Sequence, residues 1–210
     1  MAKAPVAGRV KTRLSVEVGV ATAVRFVRHS LAALLPRVTA APRWSTLLAV
    51  TPDTTASSRV WPWGVPFMPQ GSGDLGARMQ RLFDRAPPGP VVIVGTDIPD
   101  VTRTHIAAAF RLLGHHDAVF GPAADGGYWL VGLRRRPRVL RPFRGVRWST
   151  EHALSDTLAN LHGCSIAQLP TLRDIDTAAD LARCAATFGR RVRSDGVAGR
   201  PARVPTPTSP

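Results

Sequence analysis

Val91 to Asp100, V-V-I-V-G-T-D-I-P-D, is the stretch that decides the fold. Four β-branched residues in a row read as a strand covered on both faces, as in the middle of a parallel sheet. Pro87-Pro88-Gly89 stops whatever precedes it, and Ile106 to Leu113 follows with the apolar spacing of a helix. The first acid after the strand, Asp97, falls at a strand's carboxyl end, where open α/β sheets bind ligands. A carboxylate there, near a phosphate-binding loop, is placed to hold Mg²⁺, since that ion takes one or two carboxylates and completes its shell with phosphate oxygens. The alternative for Asp97 is a helix cap, the role expected of Asp100.

The same alternation extends outward in both directions. Upstream, Val16 to Leu35 places Val20, Val24, Val27, Leu31 and Leu34 on one helical face, and Ser45 to Val50 reads as a strand. Val60 to Met68 is broken by Pro62 and Pro66 and fits only a sheet edge. Leu75 to Ala86 is a helix opened by the turn Gly71-Ser72-Gly73-Asp74. Downstream, Ala118 to Gly121 and Tyr128 to Leu133 are strands around a polar turn, and Ser165 to Leu169 is a short strand. Thr150 to His162 reads as a helix capped by Ser149. Thr177 to Phe188 is the last helix, with Thr177 and Asp180 spaced as a capping box. Helices interleaved with strands predict an α/β sandwich with a mostly parallel sheet and at least one antiparallel pair.

The chain carries 28 basic residues, yet its two lysines, Lys3 and Lys11, both fall in K-A-P-V-A-G-R-V-K-T-R-L, Lys3 to Leu14. Gly8, Arg9, Lys11 and Arg13 ahead of a helix suit a diphosphate: the glycine lets the backbone come close and the ammonium acts as a compact charge. The bland alternative is a solvated basic tail. In α/β nucleotide folds such a loop follows a first strand. This sequence begins within the loop, so the sheet is expected to lack that strand and Met1 to be an internal methionine.

Composition narrows the rest. With 210 residues, 44% of them hydrophobic, the chain is read as one domain over residues 1–188 and a basic, Pro- and Arg-rich disordered tail over 189–210. Cys164 and Cys184 belong to no metal-ligand spacing or disulfide framework, and no apolar run is free enough of charge to span a membrane. A soluble, cytoplasmic protein is expected. The formal charge of +14 raises nucleic acid as a partner, but the seven arginines between Arg134 and Arg147 are not interleaved with aromatics as a base-stacking platform would be.

Four further motifs carry open readings. Asp125-Gly126-Gly127-Tyr128 is either a plain hairpin turn or a place where backbone approaches a ligand closely. Gly71-Ser72-Gly73-Asp74-Leu75-Gly76 either lines a nucleotide or caps a helix through Asp74. Trp148 either offers its face to a sugar or is buried. Asp174-Ile175-Asp176 places two acids on one side of an extended segment, where they either supply a metal ligand or cap the last helix.

Taken in order, K-A-P-V-A-G-R-V-K-T-R-L, G-D-L-G-A-R-M, G-T-D-I-P-D, G-P-A-A-D-G-G-Y-W-L-V-G-L, W-S-T and D-I-D-T-A-A-D-L resemble a bacterial family of glycosyltransferase-A-like (GT-A) proteins. That family is catalogued as a domain of unknown function and as a radical-SAM/selenodomain-associated transferase. The resemblance covers about Ala2 to Leu181 and extends, more distantly, to phospholactate and molybdopterin guanylyltransferases. It implies a GT-A-type nucleotide-diphospho-sugar transferase fold, a Rossmann-like three-layer sandwich that binds a nucleotide and Mg²⁺ or Mn²⁺. By the same resemblance, Lys3, Gly8, Arg9, Lys11 and Arg13 meet the phosphates, with Lys11 also catalytic. Gly73, Asp74 and Gly76 lie beside the nucleotide. Asp97 takes the place of the family's Asp-x-Asp carboxylate, whose second acid is absent here, and Asp176 supplies the other metal ligand. Asp125 faces the acceptor as a catalytic residue, with Gly126, Gly127, Tyr128 and Trp148 around it.

The function expected is metal-dependent transfer from a nucleotide-activated donor to a small-molecule acceptor, with glycosyl transfer from a nucleotide-sugar first. Nucleotidyl transfer from an NTP to a small phosphorylated acceptor is the alternative. A non-catalytic nucleotide-binding or RNA-binding protein is the third.

Overall fold

The computed structural model describes residues 1–39, 42–55, 61 and 64–184. Among the described residues seven strands form two sheets: β1 (Ala2–Lys3), β2 (Leu48–Thr51) and β3 (Phe67–Pro69) in one, and β4 (Val91–Val94), β5 (Ala118–Pro122), β6 (Tyr128–Leu133) and β7 (Ile166–Gln168) in the other. The first sheet is all parallel in the order β1-β2-β3. The second runs β4-β6-β5-β7, antiparallel on both sides of β6 and parallel between β5 and β7. Met1 joins them: its amino nitrogen donates to the Val94 carbonyl at 2.7 Å, and the Thr96 hydroxyl donates to the Met1 carbonyl at 3.4 Å. The first strand, expected to be missing, is present as the two residues Ala2 and Lys3, in register with Val50 and Thr51. Gln70, only 2% exposed, reinforces so short a strand by donating from Nε2 to the carbonyls of both Ala2 (3.0 Å) and Ala49 (2.9 Å).

Helices cover both faces. On one, α2 (Val20–Thr39) and α4 (Arg103–Leu112) pack Leu34, Ile106 and Ala109 against Val119 and Leu130 of the sheet. On the other, α3 (Leu75–Arg85) and the segment after α5 (Ala153–Ala159) pack Met79, Phe83 and Leu161 against Ala118, Phe120, Val131 and Leu133. Alternate residues of β5 thus serve opposite cores, as the two-residue period of a strand requires. The result is the expected three-layer α/β sandwich. The last helix among the described residues, α6 (178–184), begins with a true capping box. Asp180 N donates to Thr177 Oγ1 at 3.1 Å, and Thr177 N donates to Asp180 Oδ2 at 3.0 Å. Among the described residues no helix is long and apolar enough to cross a membrane. The tail, 189–210, lies outside the described residues.

Several local expectations are corrected. Helix α1 (Thr12–Val18) is separate from α2, because Gly19 takes φ +83° and ends it. On α2 the buried face is Ala23, Phe26, Ser30, Leu31, Leu34 and Leu35, whereas Val20 is exposed. Strand β4 is half-buried rather than sealed on both faces, because Ile93 and Val94 line an open cleft. Thr102, not Asp100, caps α4, in a reciprocal box with His105. Ser149 does not cap α5; it sits at φ +61° and the helix starts later, after His152.

Candidate active site

Where β1 meets β4, the sheet opens into a cleft of about 570 Å³, a size suited to a small-molecule ligand. Three of the segments that line it carry the basic and acidic residues expected there. The first is the loop after β1. Buried Val10 and Leu14 pin it from below, and Lys11 adopts φ 43°, ψ 51°, a left-handed backbone that costs a non-glycine residue about 1–2 kcal/mol. Lys3, Arg9, Lys11 and Arg13 all line the cleft, while Gly8 lies in an adjoining pocket. Helix α1 has only seven residues, so the loop's side chains supply the positive charge here.

The second segment follows β4. Gly95 N donates to the Trp129 carbonyl at 3.0 Å, and Ile98 and Val101 are buried beyond it, which leaves Asp97 at the cleft wall. A Cβ on Gly95 would come within 3.0 Å of Asp97 Oδ1, so the glycine leaves room for this carboxylate. The third segment is Asp174-Ile175-Asp176. Ile175 packs with Leu14, Ala23 and Phe26. Its neighbours therefore project to the opposite side, and Asp176 reaches the cleft.

These segments meet at one atom. Lys11 Nζ lies 3.1 Å from Asp97 Oδ2 and 2.7 Å from Asp176 Oδ1. Its side chain is 10% exposed, against 49% for Asp97 and 33% for Asp176. Arg13 stands farther off, 4.0 Å from Asp176 Oδ2. Burial alone would lower the Lys11 pKa, but Asp97 and Asp176 outweigh it and the net shift is upward.

Burial raises the Asp174 carboxyl to about 6, and the neighbouring Asp176 adds to the rise. In the unfolded chain this group titrates near 3.8, so between those values the folded chain holds a proton that the unfolded chain has lost. Stability therefore falls as pH rises through that window. Asp174→Asn removes the penalty. It is expected to stabilise the protein at about pH 7.5 by on the order of 1 kcal/mol, discounted for a half-exposed group, with no gain near pH 4. Urea unfolding in EDTA at both pH values checks this, and a variant no more stable than wild type at the higher pH refutes it.

A divalent ion fits this donor set. Two hard carboxylates converge on one cation position with a basic loop beside it, and Mg²⁺ needs no more than one or two carboxylates when phosphates complete its shell. Among the described residues no third His, Cys, Asp or Glu joins them in a metal-binding arrangement.

The remaining expected residues are placed less uniformly. Tyr128 lines the cleft. Asp125 is exposed in its turn, where Oδ1 accepts from Gly127 N at 2.9 Å; it is near enough to Asp174 to help raise that group. Gly126, at φ +84°, abuts the backbone of Glu151. Asp74 caps α3 by accepting from Ala77 N at 2.7 Å. A Cβ on Gly76 would lie 2.7 Å from the Trp148 ring, which packs against Tyr128 and Phe143 away from the cleft. Gly73, at φ +99°, shapes the turn before α3. That helix still reaches the cleft, through Leu75, Arg78 and Met79. Arg78 was not anticipated. Its Nη1 donates to Gln70 Oε1 at 3.1 Å and its Nε to the Asp74 carbonyl at 3.2 Å, which fixes the guanidinium at the cleft wall. Its place in G-D-L-G-A-R-M was visible, but nothing in the sequence distinguished it from 25 other arginines.

Comparison with known proteins agrees with this fold. The sequence family DUF2064, described as an uncharacterized protein conserved in bacteria, matches residues 34–150. A crystal structure from Desulfovibrio desulfuricans G20, named for a nucleotide-diphospho-sugar transferase, is 31% identical with a TM-score of 0.78 and covers 89% of this chain and 84% of its own. The 4-diphosphocytidyl-2C-methyl-D-erythritol synthase of Anaerococcus prevotii shares the fold at 10% identity and a TM-score of 0.56, over 90% of this chain and 96% of its own. The molybdopterin-guanine dinucleotide biosynthesis protein A of Archaeoglobus fulgidus shares it at 15% identity and 0.50, over 90% and 97%. No curated protein matches the chain.

Proposed function

Since the chain belongs to the bacterial family DUF2064 and has the nucleotide-diphospho-sugar transferase fold, we propose that it is a metal-dependent glycosyltransferase acting on a nucleotide-sugar. One observation carries this reading: a basic loop and two carboxylates face each other across a single cleft, meeting at Lys11. Opposite charges so arranged suit a pyrophosphate whose own charge is bridged by a cation.

In the reaction, an acceptor hydroxyl oxygen bonds to the anomeric carbon, the bond from that carbon to the diphosphate breaks, and the nucleoside diphosphate leaves with the electron pair. Lys3, Arg9 and Arg13 hold the diphosphate and stabilise the charge it gains. Asp97 and Asp176 would hold Mg²⁺ or Mn²⁺, which supplies Lewis-acid stabilisation of the leaving group when bound. Asp125, exposed in its turn and close enough to Asp174 to influence it, orients the acceptor hydroxyl and takes its proton. Tyr128 forms part of the adjoining wall.

Nucleotidyl transfer from an NTP uses the same phosphate-binding residues, and the lysine in the loop after β1 favours that second reading. Titration with UDP-, GDP- and TDP-sugars and with GTP and CTP, each with and without Mn²⁺, separates the two. Saturable, Mn²⁺-dependent binding of a nucleotide-sugar and release of nucleoside diphosphate are expected. Pyrophosphate release from an NTP would replace glycosyl by nucleotidyl transfer. Binding that ignores metal and disappears with salt would point instead to nucleic acid.

A further inference from the structure

We propose that Lys11 and the divalent ion are alternative occupants of one cation position between Asp97 and Asp176, so that the ion enters as a nucleotide's diphosphate draws the ammonium away. This rests on the nucleotide-dependent reading above. The two carboxylates that fit the ion are already joined through Nζ, at 3.1 and 2.7 Å. Metal–oxygen distances of about 2.0–2.1 Å would put Mg²⁺ in the same space. Two cations cannot share it: the ion would stand within an ångström or two of a positive nitrogen that has little solvent to screen it, since the lysine side chain is 10% exposed. The ammonium already supplies the cation these carboxylates need, and the empty protein has little use for a second.

The same geometry provides a way out. Lysine is a point charge on a flexible four-carbon stem, with no fixed fork to keep it on a carboxylate. Its neighbours in the loop, Arg9 and Arg13, line the same cleft. A diphosphate bound there offers Lys11 a second set of anionic oxygens, and its departure uncovers Asp97 and Asp176 together. Nucleotide and metal then bind with strong mutual dependence, each favouring the other as linkage requires.

The test is direct Mn²⁺ binding, followed by electron paramagnetic resonance of the free ion, with the full chain and no nucleotide. Lys11→Met is expected to bind Mn²⁺ at least tenfold more tightly than wild type. Lys11→Arg, which keeps a cation in place, should stay within about threefold of wild type. Asp176→Asn added to Lys11→Met should abolish the gain. Removing the ammonium leaves two carboxylates without their partner, so the thermal midpoint of Lys11→Met should fall and then recover with Mn²⁺ by more than wild type shifts. Lys11→Gln serves in the same measurement if the methionine variant does not fold. Equal or weaker Mn²⁺ binding in folded Lys11→Met or Lys11→Gln overturns the shared position, even if wild type binds a nucleotide-sugar with metal. Tighter binding in those variants, in a chain that ignores every nucleotide, upholds the shared position and sinks the transferase reading.

Discussion

Asp97→Ala is expected to abolish the metal dependence of nucleotide binding and to lower turnover by roughly a hundredfold or more, the scale of losing one organised contact to a developing charge. The fold should survive. Asp97 is half-exposed, and Lys11 retains Asp176 at 2.7 Å as a partner. The loop is held independently by Ile98 and Val101 in the core and by Arg37, which donates to the Pro99 carbonyl at 2.8 Å. A loss of one partly exposed ion-pair contact costs about 1 kcal/mol or less. Calorimetric titration with and without Mn²⁺, together with a thermal melt, checks both halves. Metal dependence that persists in a folded variant removes Asp97 from the site, and a collapsed melt assigns it a structural role instead.

The largest effect on stability is expected at Gly126. Its φ of +84° suits glycine, and an added Cβ would stand 2.2 Å from the carbonyl oxygen of Glu151. That oxygen belongs to backbone, and Gly126 is itself tied to the start of α5, where Leu154 N donates to the Gly126 carbonyl at 3.0 Å. Neither partner can move without opening the Asp125 turn. Gly145 provides the control: its φ is +69°, and a Cβ there meets nothing within 4 Å. Gly145→Ala should cost only the left-handed backbone, about 1–2 kcal/mol. Gly126→Ala carries that cost plus the clash, about 3 kcal/mol or more. At this chain length those figures correspond to falls in melting temperature of about 5 °C and at least about 10 °C. Equal shifts for the two variants would mean that the turn does not rest on Glu151.

The sequence was most legible where one residue type had one physical use. Asp74 and the Thr177–Asp180 pair cap helices as their spacing promised. It was least legible at helix starts with several candidates: Thr102 prevails over Asp100, and α5 begins after His152 despite a serine three residues earlier. Burial of Val91–Val94 was overestimated because a run of β-branched residues looks the same beside a core and beside a ligand cleft. Trp148 and Gly76 illustrate a further limit. Each carried a ligand-side reading, yet the glycine makes room for the indole within the aromatic packing.

The sequence by itself determined the alternation of helices and strands, the lysine-bearing loop, and the presence of acids after β4 and before α6, because periodicity, capping and charge are local properties. Only the tertiary structure decided that Lys11, Asp97 and Asp176 share one atom's surroundings. These residues lie up to 165 positions apart, and no local preference specifies so distant a meeting. It depends on β1 lying between β2 and β4, and on Ile175 being buried against α1 and α2 so that Asp176 must face the cleft.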